Sequence, residues 1–121
     1  MPQEIEYFKW FGQRLAQDRL KLVVLLVPRG YIVYGDIVTP PLPNRVGLAH
    51  YRALQERLET AGIAVVNTVD ALRHEARVRL SKREYMFHLD DSHWNAQGIS
   101  VAVDEILRNY PAIEWPDPRK L

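Results

Sequence analysis

Hydrophobic positions along the chain recur in two rhythms. Near the start, Ile5, Phe8, Phe11 or Gly12, and Leu15 fall at helical spacing, with Glu4, Lys9, Arg14 and Asp18 between them. That spacing predicts an amphipathic helix. The rhythm then changes. Leu22 to Val27 is an unbroken apolar run, half of it valine, preceded by Lys21 and ended by Pro28. A run without alternation predicts a strand covered on both faces, as in a parallel sheet. A second helix is predicted from about Val46 to Thr60, with Leu48, Tyr51, Leu54 and Leu58 as its stripe and Gly62 as its stop. Ile63 to Val66 predicts a second buried strand. Asn67 or Thr68 then caps a third helix carrying Val69, Leu72 and Ala76. Tyr85 to Leu89 is a weaker strand candidate. Ile99, Ala102, Val103, Ile106 and Tyr110 form the stripe of a last helix, capped by Asn95. Pro111, Pro116 and Pro118 end the ordered part and leave a Pro-rich tail over 111–121.

Helices and strands therefore alternate. That order predicts an α/β fold of three layers with a mostly parallel sheet. The sheet is narrow. Two strong strands and one weak one, patterned for burial on both faces, leave unpaired edges. The expectation is one α/β domain over 1–121, or the C-terminal part of a wider domain. Such edges invite a partner segment or self-association. The stretch from Pro28 to about Arg45 carries Pro28, Gly30, Gly35, Pro40, Pro41 and Pro43, which predict irregular backbone through most of it. Connections of this length are often functional. In parallel sheets, ligands bind beyond the carboxyl ends of the strands. The loop after Val27 and the turn after Leu89 are the two segments expected there.

Composition narrows the function classes. The chain has 121 residues, 47% hydrophobic and 26% charged, with a formal net charge of +1. That balance excludes a disordered chain. It also argues against a strongly basic nucleic-acid binder. Arg73, Arg77, Arg79, Lys82 and Arg83 are interleaved with Glu75 and Glu84, as on a solvated helix face. No apolar run approaches the roughly 20 residues of a membrane span. Met1 to Gln17 mixes charge with aromatics and holds no apolar signal-peptide core. The absence of cysteine excludes disulfides, thiolate metal sites and a cysteine nucleophile. Serine occurs only at 81, 92 and 100.

The turn His88-Leu89-Asp90-Asp91-Ser92-His93-Trp94-Asn95-Ala96-Gln97-Gly98 concentrates the chemistry. Asp91 and His93 are two apart, and in extended backbone such residues point the same way. A carboxylate so placed accepts the imidazole Nδ1 proton and leaves Nε2 as a general base. Asp91 and Asn95 equally fit helix caps, and Trp94 equally fits a core position.

Asp91-Ser92-His93-Trp94-Asn95 followed by Gly98 resembles the D-x-H-W-[NT]-x-x-G motif of SGNH-hydrolase-like domains. It is similar in particular to the group containing the AlgX/AlgJ-type alginate O-acetyltransferases. The upstream context is similar too: an apolar strand ending in Pro28, a Val33-Tyr34 pair, and the Gly62 to Val66 strand. The resemblance spans roughly residues 10 to 110. It implies a flavodoxin-like SGNH architecture and acyl-ester chemistry on a carbohydrate, by hydrolysis or O-acetyl transfer, without a cofactor. Asp91 and His93 become the acid and base members of a Ser-His-Asp triad. Trp94, Arg29 and Tyr34 become substrate-binding candidates. An extracytoplasmic or periplasmic setting is implied as well.

The chain departs from the pattern in its nucleophile, its oxyanion hole and one lysine position. The family's serine lies in a G-D-S motif, and here Gly35-Asp36 is followed by Ile37. Ser92 is expected to point away from His93. Ser81 and Ser100 lack a strand-to-helix elbow. The family's oxyanion-hole glycine and asparagine have no counterpart. Gly30 stands where related sequences carry a lysine, with Arg29 beside it as an anion contact or a solvated residue. The chain is thus a fragment, one half of a split enzyme, or a degenerate domain, and alone it is expected to be inactive.

Two other functions are open. His88, Asp90, Asp91 and His93 offer metal-ligand types, although alternation would divide them between two faces. A non-catalytic module is the other: Arg29, Tyr31 and Tyr34 in the Pro-rich loop suit a polysaccharide.

Overall fold

The computed structural model describes residues 2–89 and 91–111. Helix α1 spans Pro2–Gln17 and strand β1 spans Val23–Leu26. A short helix α2 (Gly30–Tyr34) and a long helix α3 (Arg45–Thr60) follow. Strand β2 is Ala64–Asn67, and helix α4 is Val69–Arg79, continued by a 3-10 turn at Leu80–Lys82. Helix α5 (Ala96–Asn109) closes the described part. The expected tail beyond residue 111 lies outside the described residues, as does Asp90.

The two strands pair in parallel, with Val24 opposite Val65 and Leu26 opposite Asn67. Alternation sends Val24, Leu26 and Val65 to one side. There they join Leu58 and Ile63 in a buried cluster, with Ile5 and Phe8 of α1 and Tyr51 and Leu54 of α3 packed against it. A second cluster shares no residue with the first. It gathers Val33 of α2, Leu72 and Ala76 of α4, Met86, Phe87 and Val101 of α5. The fold is therefore α/β with a small parallel sheet, and its apolar interior is divided between two helical groups.

Local chemistry explains the boundaries. Gly62 has φ +80, and its N–H donates to Glu59 O at 2.9 Å while Ile63 N–H donates to Leu58 O at 2.9 Å. That pair of bonds is a Schellman stop, as expected of a glycine just past a helix. At the end of β1, Leu26 O accepts both the Thr68 backbone N–H (3.1 Å) and its hydroxyl (2.7 Å). The start of α4 is thereby tied to the carboxyl end of the neighbouring strand.

The Pro28 to Arg45 stretch is irregular over most of its length, with α2 as the exception. Between Pro28 and Pro40 the chain has room for one short helix, and burial of Ile32 and Val33 holds it in place. Gly47 lets α2 sit close on α3, because a Cβ there would lie 2.1 Å from Ile32 Cδ1. The loop then folds back, with Asn44 Nδ2 donating to Ile32 O at 3.0 Å and Leu42 N–H donating to Gly35 O at 2.7 Å.

The weak strand at Tyr85 to Leu89 is not a strand of the sheet. It forms one antiparallel bridge, Phe87 to Trp94, with the turn that follows it. Apart from the Met86 N–H, which goes to the Tyr34 hydroxyl, its bonded backbone groups are taken locally. Met86 O accepts from Asn95 N–H at 3.0 Å, and His88 N–H donates to His93 O at 3.0 Å. Groups spent on a hairpin are not available to a third parallel strand.

Candidate active site

The hairpin built by these bonds carries the Asp-x-His pair at its tip. Its base is fixed by Asn95. The Asn95 side chain accepts from Gly98 N–H at 3.0 Å, which caps α5. Its Nδ2 donates to Tyr85 O at 2.6 Å and to Phe87 O at 3.3 Å. One side chain thus serves both the helix start and the opposite arm of the hairpin. Gly98 is buried against that arm. A Cβ at this position would lie 2.3 Å from Met86 O, so only glycine allows the first turn of α5 to come so near. Trp94 is half-buried and packs against the cluster containing Met86 and Phe87.

At the tip, Asp91 Oδ1 accepts the backbone N–H of His93 at 2.8 Å. The same oxygen is hydrogen-bonded to Nδ1 of the His93 ring. The first contact is an Asx-turn. The sequence correctly brings the two residues together, but the cause is a bend with a side-chain-to-backbone bond rather than extended alternation. The His93 side chain is 79% exposed and that of Asp91 49%. Among the described residues His93 Nε2 has no hydrogen-bond partner. The backbone amide of His93 and, next, its ring hold the Asp91 carboxyl below its ordinary value. The carboxylate is therefore ionised when it faces the imidazole, and the Nδ1–H tautomer is the one it favours.

The loop after β1 reaches this hairpin. Gly30 sits so that a Cβ would be 3.9 Å from Phe87 Cγ. Tyr34 meets Phe87 edge to face at 6.4 Å, and its hydroxyl oxygen accepts Met86 N–H at 2.9 Å. Burial holds the Tyr34 phenol above its ordinary value, so it is protonated at neutral pH. An apolar groove of about 410 Å³ runs between α2, the loop and the hairpin, with Tyr31, Tyr34, Leu42, Leu89 and Asp91 among its walls. Arg29 lies elsewhere. It is exposed and borders a separate cavity of about 470 Å³ with Tyr31, His50 and Tyr51. The five candidate residues thus divide. Asp91, His93, Trp94 and Tyr34 share the hairpin and its support, while Arg29 does not join them.

None of the three serines hydrogen-bonds the His93 ring. Ser92 lines the apolar groove beside Asp91, and Ser81 and Ser100 are exposed on the turn after α4 and on α5. Asp36 stands where the acid of a G-D-S motif would be, and it is engaged otherwise. It pairs with Arg73 at 2.9 Å and with Arg77, tying the exit of α2 to α4. Arg79 binds Glu75 at 2.8 Å and Gln97 at 2.6 Å. Much of the basic cluster is thus satisfied within the fold. Of the possible metal ligands, Asp90 is outside the described residues. Among those described, no three His, Asp or Glu side chains gather where they could hold an ion. Among the described residues, no helix is long and apolar enough to cross a membrane.

A small parallel sheet with helices packed against it, and an Asp-x-His pair on the turn before α5, is consistent with a partial SGNH-like α/β domain. The chain matches the family model described as SGNH hydrolase-like domain, acetyltransferase AlgX, over residues 1–118, and it belongs to that family. No curated protein and no solved structure matches it. The family supports acetyltransferase- or esterase-like chemistry on carbohydrate.

Proposed function

We propose that this chain supplies the acid–base pair of an acyl-ester site that hydrolyses or transfers an O-acetyl group on a carbohydrate. The observation that supports it most is the Asp91 carboxylate on His93 Nδ1, with no partner on Nε2 among the described residues. In this reading Nε2 takes the proton of a serine hydroxyl as the serine oxygen bonds to the acyl carbon. The ester C–O bond breaks, and His93 returns the proton to the departing oxygen. Water or a sugar hydroxyl then attacks the acyl-serine by the same proton path in reverse. Ionised Asp91 holds the ring and stabilises its cationic form. Trp94 shapes the turn, and Tyr34 forms part of the wall of the apolar groove beside Asp91. The serine comes from a segment other than those carrying Ser81, Ser92 and Ser100.

The test is p-nitrophenyl acetate hydrolysis, and acetyl transfer to a polysaccharide, by the intact protein and two variants. Asp91→Asn and His93→Ala are each expected to lower the rate by about a thousandfold or more. Folded variants that keep the parent rate would overturn the assignment. A non-catalytic carbohydrate-binding module is the second reading. It is favoured by the lack of any serine on His93 and by the Arg29–His50 cavity. Glycan binding without ester hydrolysis by the intact protein, lost on Arg29→Ala, would decide for it.

A further inference from the structure

Met86 is fully buried, and its backbone is used on both sides. Its carbonyl accepts from Asn95 N–H at 3.0 Å, inside the hairpin. Its N–H goes to a side chain 52 positions earlier, the Tyr34 hydroxyl, at 2.9 Å. That bond joins the hairpin to α2 through a polar contact, beside the apolar contacts that Phe87 makes with Gly30 and the Tyr34 ring. A buried amide without a partner is costly. The hydroxyl therefore selects the hairpin position in which Met86 faces it. From Met86 the constraint passes through Asn95, which grips Tyr85 and Phe87, to the neighbouring His93, whose carbonyl is held by His88.

We infer that Tyr34 is a positioning residue for the Asp91–His93 pair, acting through the Met86 amide rather than by touching the reacting atoms. The inference rests on the proposed role of that pair. Tyr34→Phe is the variant that isolates it, because the ring and its contact with Phe87 remain. The hydroxyl alone is removed, and the Met86 N–H loses its acceptor.

Two measurements on the chain test it. The first is amide hydrogen exchange. In Tyr34→Phe, the Met86, His88 and Asn95 amides are expected to exchange about tenfold faster relative to those of α3 and β2. Thr68→Val serves as the control. It removes a buried hydroxyl bond to Leu26 and is expected to speed exchange throughout rather than in the hairpin. The second is the carboxyl-carbon titration of Asp91, whose position depends on its bonds to the His93 amide and ring. Its midpoint is expected to rise toward the ordinary carboxylate value in Tyr34→Phe and to stay unmoved in Thr68→Val. Exchange as in the parent, acceleration spread evenly over the chain, or an unmoved Asp91 midpoint in Tyr34→Phe would each overturn the inference. His93→Ala separates it from the role of the pair. If that variant leaves the Asp91 midpoint in place, the pairing fails, whatever Tyr34 does to exchange.

Discussion

Asp91 and His93 are joined twice through a single oxygen: Asp91 Oδ1 accepts the His93 backbone amide at 2.8 Å and is also bonded to ring Nδ1. The backbone bond sets the turn and the ring bond sets the imidazole. The pair is local in sequence and depends on distant elements only for its placement. The hairpin that carries it is fixed by Asn95, Gly98 and Tyr34, none of which lies between the two residues.

The first prediction concerns acid. The folded-state carboxyl of Asp91 titrates below its unfolded value of about 3.9. Its bonds therefore stabilise the fold above that unfolded value, and the contribution is lost as pH falls through the folded value. Asp91→Asn keeps an acceptor for the turn but cannot ionise. Urea unfolding of both proteins from about pH 2 to 5 should show the parent gaining on the variant as pH rises. A difference that stays constant over this range, or that grows on acidification, contradicts the assignment.

Asn95 should be the most sensitive polar residue of the hairpin base. Asn95→Ala removes the α5 cap, worth about 1 kcal/mol. It also frees the Tyr85 and Phe87 carbonyls, at about 1 kcal/mol more. Asn95→Ser keeps a capping oxygen and loses the Nδ2 donors, so its cost should be roughly half as large. Denaturant midpoints at neutral pH measure both. Equal costs for the two variants would mean that the grip on the opposite arm carries everything and the cap nothing.

Two glycines should resist alanine for different reasons. In Gly98→Ala the gain in helix propensity of about 1 kcal/mol is opposed by overlap with a backbone carbonyl. The new Cβ would lie 2.3 Å from Met86 O, so the hairpin or the helix must move. A net loss of about 1–3 kcal/mol is expected, with shifted resonances at Met86 and Asn95. In Gly62→Ala nothing lies within 4 Å of the new atom, but φ is +80. The loss there should be about 1–2 kcal/mol and confined to the end of α3. Thermal or urea unfolding gives both values. A stabilised Gly98→Ala would contradict the close approach.

Most of the fold is legible in the sequence because its elements follow simple periodicities. The stripes of α3 and α5, the two valine-rich strands, the Gly62 stop and the Asn95 cap all depend on neighbours within a few positions. Two features are not legible. The short helix Gly30–Tyr34 is stabilised by burial of Ile32 and Val33 against elements far along the chain, and proline density masks it. Residues 85–89 look like a strand because they are mostly apolar, yet their backbone bonds go to residues 93 and 95 and to the Tyr34 hydroxyl. The site divides in the same way. The Asp91–His93 spacing is readable at once. The anchoring by Tyr34 spans 52 positions, and no periodicity signals it. The tight fit of Gly98 against Met86 is visible only as an unexplained glycine in the motif.

The proposed chemistry requires that Asp91 leave His93 with a bare Nε2. Long-range proton–nitrogen correlation spectra of the neutral His93 ring test it most directly, because they assign the proton to one nitrogen without needing a substrate or a serine. The Nδ1–H tautomer is expected in the parent chain, with loss of that preference in Asp91→Asn. A parent ring protonated on Nε2, or a tautomer balance unchanged in Asp91→Asn, would contradict it.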